Sequence, residues 1–126
     1  STGPSPAIAA AARAAIEISM GPDGDARRTA LWSNVNDLAA QLDSLWPDPP
    51  KGESPILPLI VGPEGGTLDL AAALRDRGLW VPAIRYPTVA RGKARLRVSL
   101  SASHTPEQLA ALVEALRELL PTEPTL

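Results

Sequence analysis

The residues of this sequence best equipped for chemistry are Arg85, Arg95 and Arg97, with the Thr88 hydroxyl close by in the chain. A guanidinium is a rigid planar fork of N–H donors, so it grips a carboxylate through two parallel bonds where Lys offers only a point charge. Arg95 and Arg97 alternate with Ala94, Leu96, Val98 and Leu100. That spacing puts both cations on one side of a strand and the apolar side chains on the other. Two readings stay open on this pattern: an anion-binding site, or a charged sheet face turned to solvent. Thr88, between Pro87 and Val89, is by itself a loop hydroxyl, and His104, just before a helix start, reads as structural. Arg27 and Arg28 read as solvated.

Several other chemistries are excluded. The Gly-rich run Val61-Gly62-Pro63-Glu64-Gly65-Gly66 lacks the Lys-Ser/Thr of a phosphate loop and reads as a strand-to-helix turn. No nucleophile elbow or dinucleotide fingerprint occurs. With no Cys there is no disulfide, thiol nucleophile or thiolate metal site, and a single His cannot build a multi-His metal centre. A net charge of -2 and the lack of a contiguous basic run argue against nucleic acid or a membrane surface as partner. No apolar run is long enough to span a bilayer. The absence of Cys and of a secretory signal points to the cytoplasm.

The elements that must position these residues follow from periodicity. At 126 residues and 44% hydrophobic the chain is one domain's worth with a real core. Residues 6–20 are Ala-rich and predict a helix so apolar that it should be buried or packed against a partner. Gly21-Pro22-Asp23-Gly24 breaks it, and Asp25 is expected to cap a second helix with an apolar stripe at Leu31, Val35, Leu38, Leu42 and Leu45. Trp46-Pro47 stops that helix, and 47–55 is a loop. Residues 56–61 form a short buried strand in which Pro58 requires one side without a ladder partner. Thr67 is expected to cap a third helix that ends at Gly78, and strands follow over 80–85 and 94–100. The last helix has the clearest start, with Thr105 as N-cap, Pro106 at N1 and Gln108 at N3, and Pro121 ends it. The fold class is α/β of the two-layer α+β kind, a small, mostly antiparallel sheet with helices on one face and Arg95 and Arg97 on the other. The tail from Thr122 is expected to fray.

The segments Val81-Pro82-Ala83-Ile84-Arg85-Tyr86-Pro87-Thr88-Val89 and Gly92-Lys93-Ala94-Arg95-Leu96-Arg97-Val98-Ser99-Leu100 resemble the α-oxoamine synthases, which are fold-type-I pyridoxal-phosphate enzymes. Ser1-Thr2 and Ser54–Gly62 resemble two further segments of that family, so the likeness runs almost end to end. It is strongest to the biotin-pathway branch, which condenses L-alanine with a pimeloyl thioester. Tyr86, in place of a Pro, is shared with the glycine acetyltransferase branch, which stays as an alternative beside 5-aminolevulinate synthase and a non-catalytic carboxylate-binding module. The resemblance implies that Arg97 holds the substrate carboxylate and that Thr88 lies near the substrate. It implies that Ser1 and Thr2 reach the pyridoxal-phosphate cofactor's phosphate across a homodimer. It divides the chain into a helical link from a large domain, 1–46, and a C-terminal small domain, 47–126. Neither Lys51 nor Lys93 has the family's Schiff-base context, so no catalytic residue is expected within this chain. The opening at Ser1 without an initiator Met reads as a chain entered partway.

Overall fold

The structure, a computed structural model, describes residues 3–120. Its elements are α1 (Pro6–Met20), α2 (Pro22–Asp43), β1 (Ile56–Gly62), α3 (Glu64–Asp76), β2 (Ala83–Ile84), β3 (Ala94–Ser99) and α4 (Pro106–Leu119), in the order the sequence predicts. The three strands form one antiparallel sheet in the order β1-β3-β2. Pro58 therefore sits on an edge strand, where its missing N–H costs no ladder bond. The indole N–H of buried Trp46 donates to the Ile60 carbonyl at 3.1 Å and occupies part of that edge.

Register decides what each face carries. Leu57 pairs with Val98 and Leu59 with Leu96, and all four are buried. Their neighbours Pro58 and Ile60 pair with Arg97 and Arg95 on the opposite side. Helices α2, α3 and α4 cover the apolar side with Leu38, Leu42, Leu74 and Leu116, each shut off from solvent. Burying one such side chain contributes roughly 1.5–3 kcal/mol, so the sheet face and the helical stripes define the core together. α4 begins with the expected capping box: the Thr105 side chain accepts from the Gln108 N–H, and Gln108 returns a bond to the Thr105 N–H. The Thr105 hydroxyl, and next the backbone N–H of Glu107, hold the exposed Glu107 carboxyl below its ordinary pKa. Pro121 and the tail lie outside the described residues.

Five expectations are corrected. α1 is helical over the predicted residues but buries none of them, and Ile8, Ile16, Ile18 and Met20 are all more than half exposed. α2, α3 and α4 already close the core, and α1 packs chiefly against α2. Asp25 is not a cap: α2 begins at Pro22, with Gly21 as N-cap, because a proline with fixed φ and no N–H suits the first helical position. Thr67 is not a cap either. α3 starts at Glu64, and the fully buried Thr67 hydroxyl donates to the Pro63 carbonyl at 2.7 Å, a bond back along the helix. β2 is two residues long, since Gly78 and Leu79 are tied to the end of α3. Their N–H groups donate to Arg75 and Leu74 across a left-handed Gly78, leaving Trp80 exposed. Arg28 is also held rather than free, donating to the Ser19 carbonyl at the end of α1 and to Asp25.

The α1–α2 junction is as close as backbone allows. A Cβ on Gly24 would stand 2.2 Å from the Ser19 carbonyl oxygen. Helix propensity alone predicts that Gly24→Ala stabilises by roughly 0.5–1 kcal/mol. The clash reverses that sign, so urea denaturation should give a lower midpoint and amide exchange should quicken in α1. A raised midpoint would contradict the packing.

Candidate functional site

Arg97 lies in the middle of β3, opposite Pro58 of β1, and its N–H donates to the Pro82 carbonyl at 2.9 Å. The strand is thus fixed on both sides at this residue, while the side chain is exposed on the face away from the helices. Among the described residues it makes no ion pair. The four ion pairs found there are Arg13–Glu17, Arg28–Asp25, Arg77–Glu118 and Arg117–Glu114. Arg95, on the same face, is half-buried between its partners Ile60 and Ile84, and its Nε donates to the Lys93 carbonyl at 3.1 Å. That bond ties Arg95 to its own strand entry and leaves Arg97 as the freer of the two forks.

Thr88 lies in the connection between β2 and β3. Its N–H donates to the Arg85 carbonyl at 3.0 Å, and the Tyr86–Pro87 peptide bond is cis. The Arg91 guanidinium lies over the Tyr86 ring at 4.4 Å. The hydroxyl of Thr88 is on an exposed residue, and no hydrogen bond joins it to Arg97. The hairpin pairing of Ile84 with Arg95 sets Thr88 in the turn beyond Arg95, so both residues belong to one element without touching through a polar bond. Arg85 follows β2 directly and is exposed. Ser1 and Thr2 lie outside the described residues.

His104 has a structural partner, as expected. Its Nδ1 accepts from the Ser101 N–H at 3.1 Å, closing the turn between β3 and α4. The residue that sequence reading missed is Asn34. Its amide donates to the carbonyls of Ser101 at 3.1 Å and His104 at 3.0 Å, and it is only 9% exposed. Among the described residues, Asn34 makes the one direct polar tie from α2 to the turn that follows β3. The available signal was a lone polar residue inside the α2 stripe, beside Val35. The Gly-rich run 61–66 is the expected strand-to-helix turn, with left-handed Gly62 leading into α3.

Three clefts adjoin the sheet, one of them between α3 and β2 at Arg75, Trp80 and Ala83. A second, of about 370 Å³, runs along the open face of β1, walled by Ile56, Pro58 and Ile60 and by the loop that carries Lys51. Pro58 is also the cross-strand partner of Arg97, which itself does not line the cleft. The third, of about 320 Å³, lies between Trp80, Val98, His104 and Leu109 at the far end of β3. Among the described residues no cluster of three or more His, Asp or Glu could hold a metal ion, and no helix is long and apolar enough to cross a membrane. The arrangement is an exposed guanidinium on the open sheet face, with an apolar cleft along the neighbouring edge strand.

The same chain is matched over residues 1–116 by the model of the family described as aminotransferase class I and II. The chain belongs to the aminotransferase class I and II family. Within this family it is similar to the 8-amino-7-oxononanoate synthase of Polaromonas naphthalenivorans, at 44% identity over 90% of this chain and 29% of that protein. It therefore spans less than a third of the length of that relative. Its fold is that of a serine palmitoyltransferase from S. paucimobilis solved with a bound PLP–myriocin aldimine, at TM-score 0.68 and 26% identity over 76% of this chain and 25% of the other. An 8-amino-7-oxononanoate synthase from Francisella tularensis has the same fold, at TM-score 0.62 and 24% identity over 72% of this chain and 26% of the other. These aminotransferase-family relatives do not favour the glycine acetyltransferase or binding-module alternatives.

Asn34→Ala is expected to cost about 1–3 kcal/mol, because it strips a donor from two carbonyls at once. Amide exchange should quicken at Ser103 and His104 more than in α3. Uniform acceleration across the chain would show that Asn34 holds the core rather than the turn.

Proposed function

We propose that this chain is the C-terminal small domain of an 8-amino-7-oxononanoate synthase, a PLP-dependent acyltransferase. The complete enzyme would condense L-alanine with pimeloyl-CoA or a pimeloyl-carrier protein, with loss of carbon dioxide, in biotin biosynthesis. The observation that carries this reading is Arg97: an exposed guanidinium with no ion pair among the described residues, on the open sheet face, in the segment that resembles the α-oxoamine synthases. In this reading Arg97 takes the carboxylate of L-alanine in two parallel charge-assisted bonds and fixes the amino acid's orientation. Thr88 stands at the acyl side, and the cleft along Ile56, Pro58 and Ile60 keeps water from the apolar part of the substrate.

The described residues do not by themselves fit PLP. Lys51 and Lys93 are both exposed, one in the loop before β1 and one in the turn before β3, and neither stands in an enclosed cavity. Attachment of the cofactor is therefore assigned to residues outside this chain, and Ser1 and Thr2 to its phosphate in a homodimer. Residues 1–46 are assigned as the link to the large domain and 47–126 as the small domain. The complete enzyme is placed in the cytoplasm.

Two measurements test the reading. In the complete enzyme, Arg97→Lys should weaken L-alanine binding by about 1.5–3 kcal/mol, the value of a charge-assisted hydrogen bond, while the pimeloyl thioester KM changes little. Unchanged alanine kinetics would return Arg97 to a solvated sheet face. The 126-residue chain mixed with PLP should develop no visible absorption band of lysine-bound cofactor and no activity. Such a band would refute the assignment of the cofactor lysine elsewhere.

A further inference from the structure

Charge is distributed unevenly along this chain. Five of its twelve Lys and Arg, namely Arg85, Arg91, Lys93, Arg95 and Arg97, fall within thirteen residues that contain no Asp or Glu. The rest of the chain holds seven cations against all fourteen carboxylates. None of the ion pairs among the described residues involves any of the five. Glu64, the first residue of α3, forms no ion pair with any of them. Arg85, Arg91 and Lys93 are exposed at the turn between β2 and β3, and Arg95 and Arg97 continue the line along the open face of β3.

This turn is held in shape. The Thr88 N–H donates to the Arg85 carbonyl at 3.0 Å and the Lys93 N–H to the Ala90 carbonyl at 3.1 Å. Gly92 takes the left-handed conformation between them, and Arg91 rests on the Tyr86 ring. A positive patch with no ion pair among the described residues, on an otherwise acidic chain, attracts an acidic partner by charge complementarity. None of the three clefts beside the sheet is lined by any of the five cations, so the patch lies outside those hollows. The acidic remainder of the chain would repel a long polyanion or a charged bilayer, each of which would cover more than the tip.

We propose that the β2–β3 turn, through Arg85, Arg91 and Lys93, docks the acidic face of the carrier protein that delivers the acyl thioester. The proposal rests on the functional reading above and deepens it by choosing the carrier-borne donor. The turn leads along Arg95 to Arg97, so docking there would set the thioester beside the bound amino acid.

The test uses the complete enzyme with R91E/K93E, the milder R91Q/K93Q, and R27E on α2 as a control. With pimeloyl-carrier protein, kcat/KM should fall about 10-fold or more in R91E/K93E, fall less in R91Q/K93Q and stay unchanged in R27E. The loss should shrink as salt rises. With a short pimeloyl thioester lacking any carrier, all variants should match the wild type. Equal losses with pimeloyl-CoA would assign the turn to the phosphates of that donor and overturn the proposal, as would no loss with the carrier. Wild-type binding to duplex DNA or phosphatidylserine vesicles as tight as to the carrier would also overturn it. An enzyme that makes product from neither donor would refute the functional reading. Calorimetric titration with the carrier protein then decides the turn separately: loss of binding in R91E/K93E supports it, and equal binding overturns it.

Discussion

The structure depends on a single alternation, that of β3. Ala94, Leu96 and Val98 must face the helices because they complete a core of Leu side chains from α2, α3, α4 and β1. Once they do, the two-residue period of a strand leaves Arg95, Arg97 and Ser99 no choice of side. A slip of one residue would bury two guanidinium groups and expose three apolar side chains, so hydrophobic burial enforces the register. β3 is also the central strand, held by β1 on one side and by β2 and Pro82 on the other. The position of Arg97 is therefore set by the whole sheet, and among the described residues no layer covers that face.

Much of this was legible in the residues. All seven elements appear in the predicted order, and the start of α4 could be read to the residue because Thr105, Pro106 and Gln108 satisfy each other locally. Edge placement of β1 followed from Pro58 alone. The errors share a cause, which is that local signals compete. Asp25 and Thr67 have cap chemistry, but the caps are Gly21 and Pro63, so both helices begin four residues earlier than expected. Trp80 has strand propensity, but the Gly78 turn holds its neighbours to α3.

What the sequence could not give was long-range. Asn34 acts on carbonyls 67 and 70 residues away, and nothing near it in the chain announces that. The exposed length of α1 was missed for the opposite reason: an apolar composition says that burial is favourable, not that a burying partner exists within these residues. The site itself was legible only in part. Alternation gave the side on which Arg97 lies, while the proposal that it is a carboxylate fork came from resemblance; the structure adds that it has no ion pair among the described residues. The positive turn was overlooked because its cations are spaced rather than contiguous, and only their lack of ion pairs among the described residues makes them a patch.

The central claim is that Arg97 receives the amino-acid carboxylate. A crystal structure of the complete enzyme soaked with L-alanine tests it most directly. The account predicts the carboxylate oxygens at about 2.7–2.9 Å from the Arg97 guanidinium nitrogens, the range of charge-assisted bonds. A carboxylate held by another cation, with Arg97 turned to solvent, would contradict it.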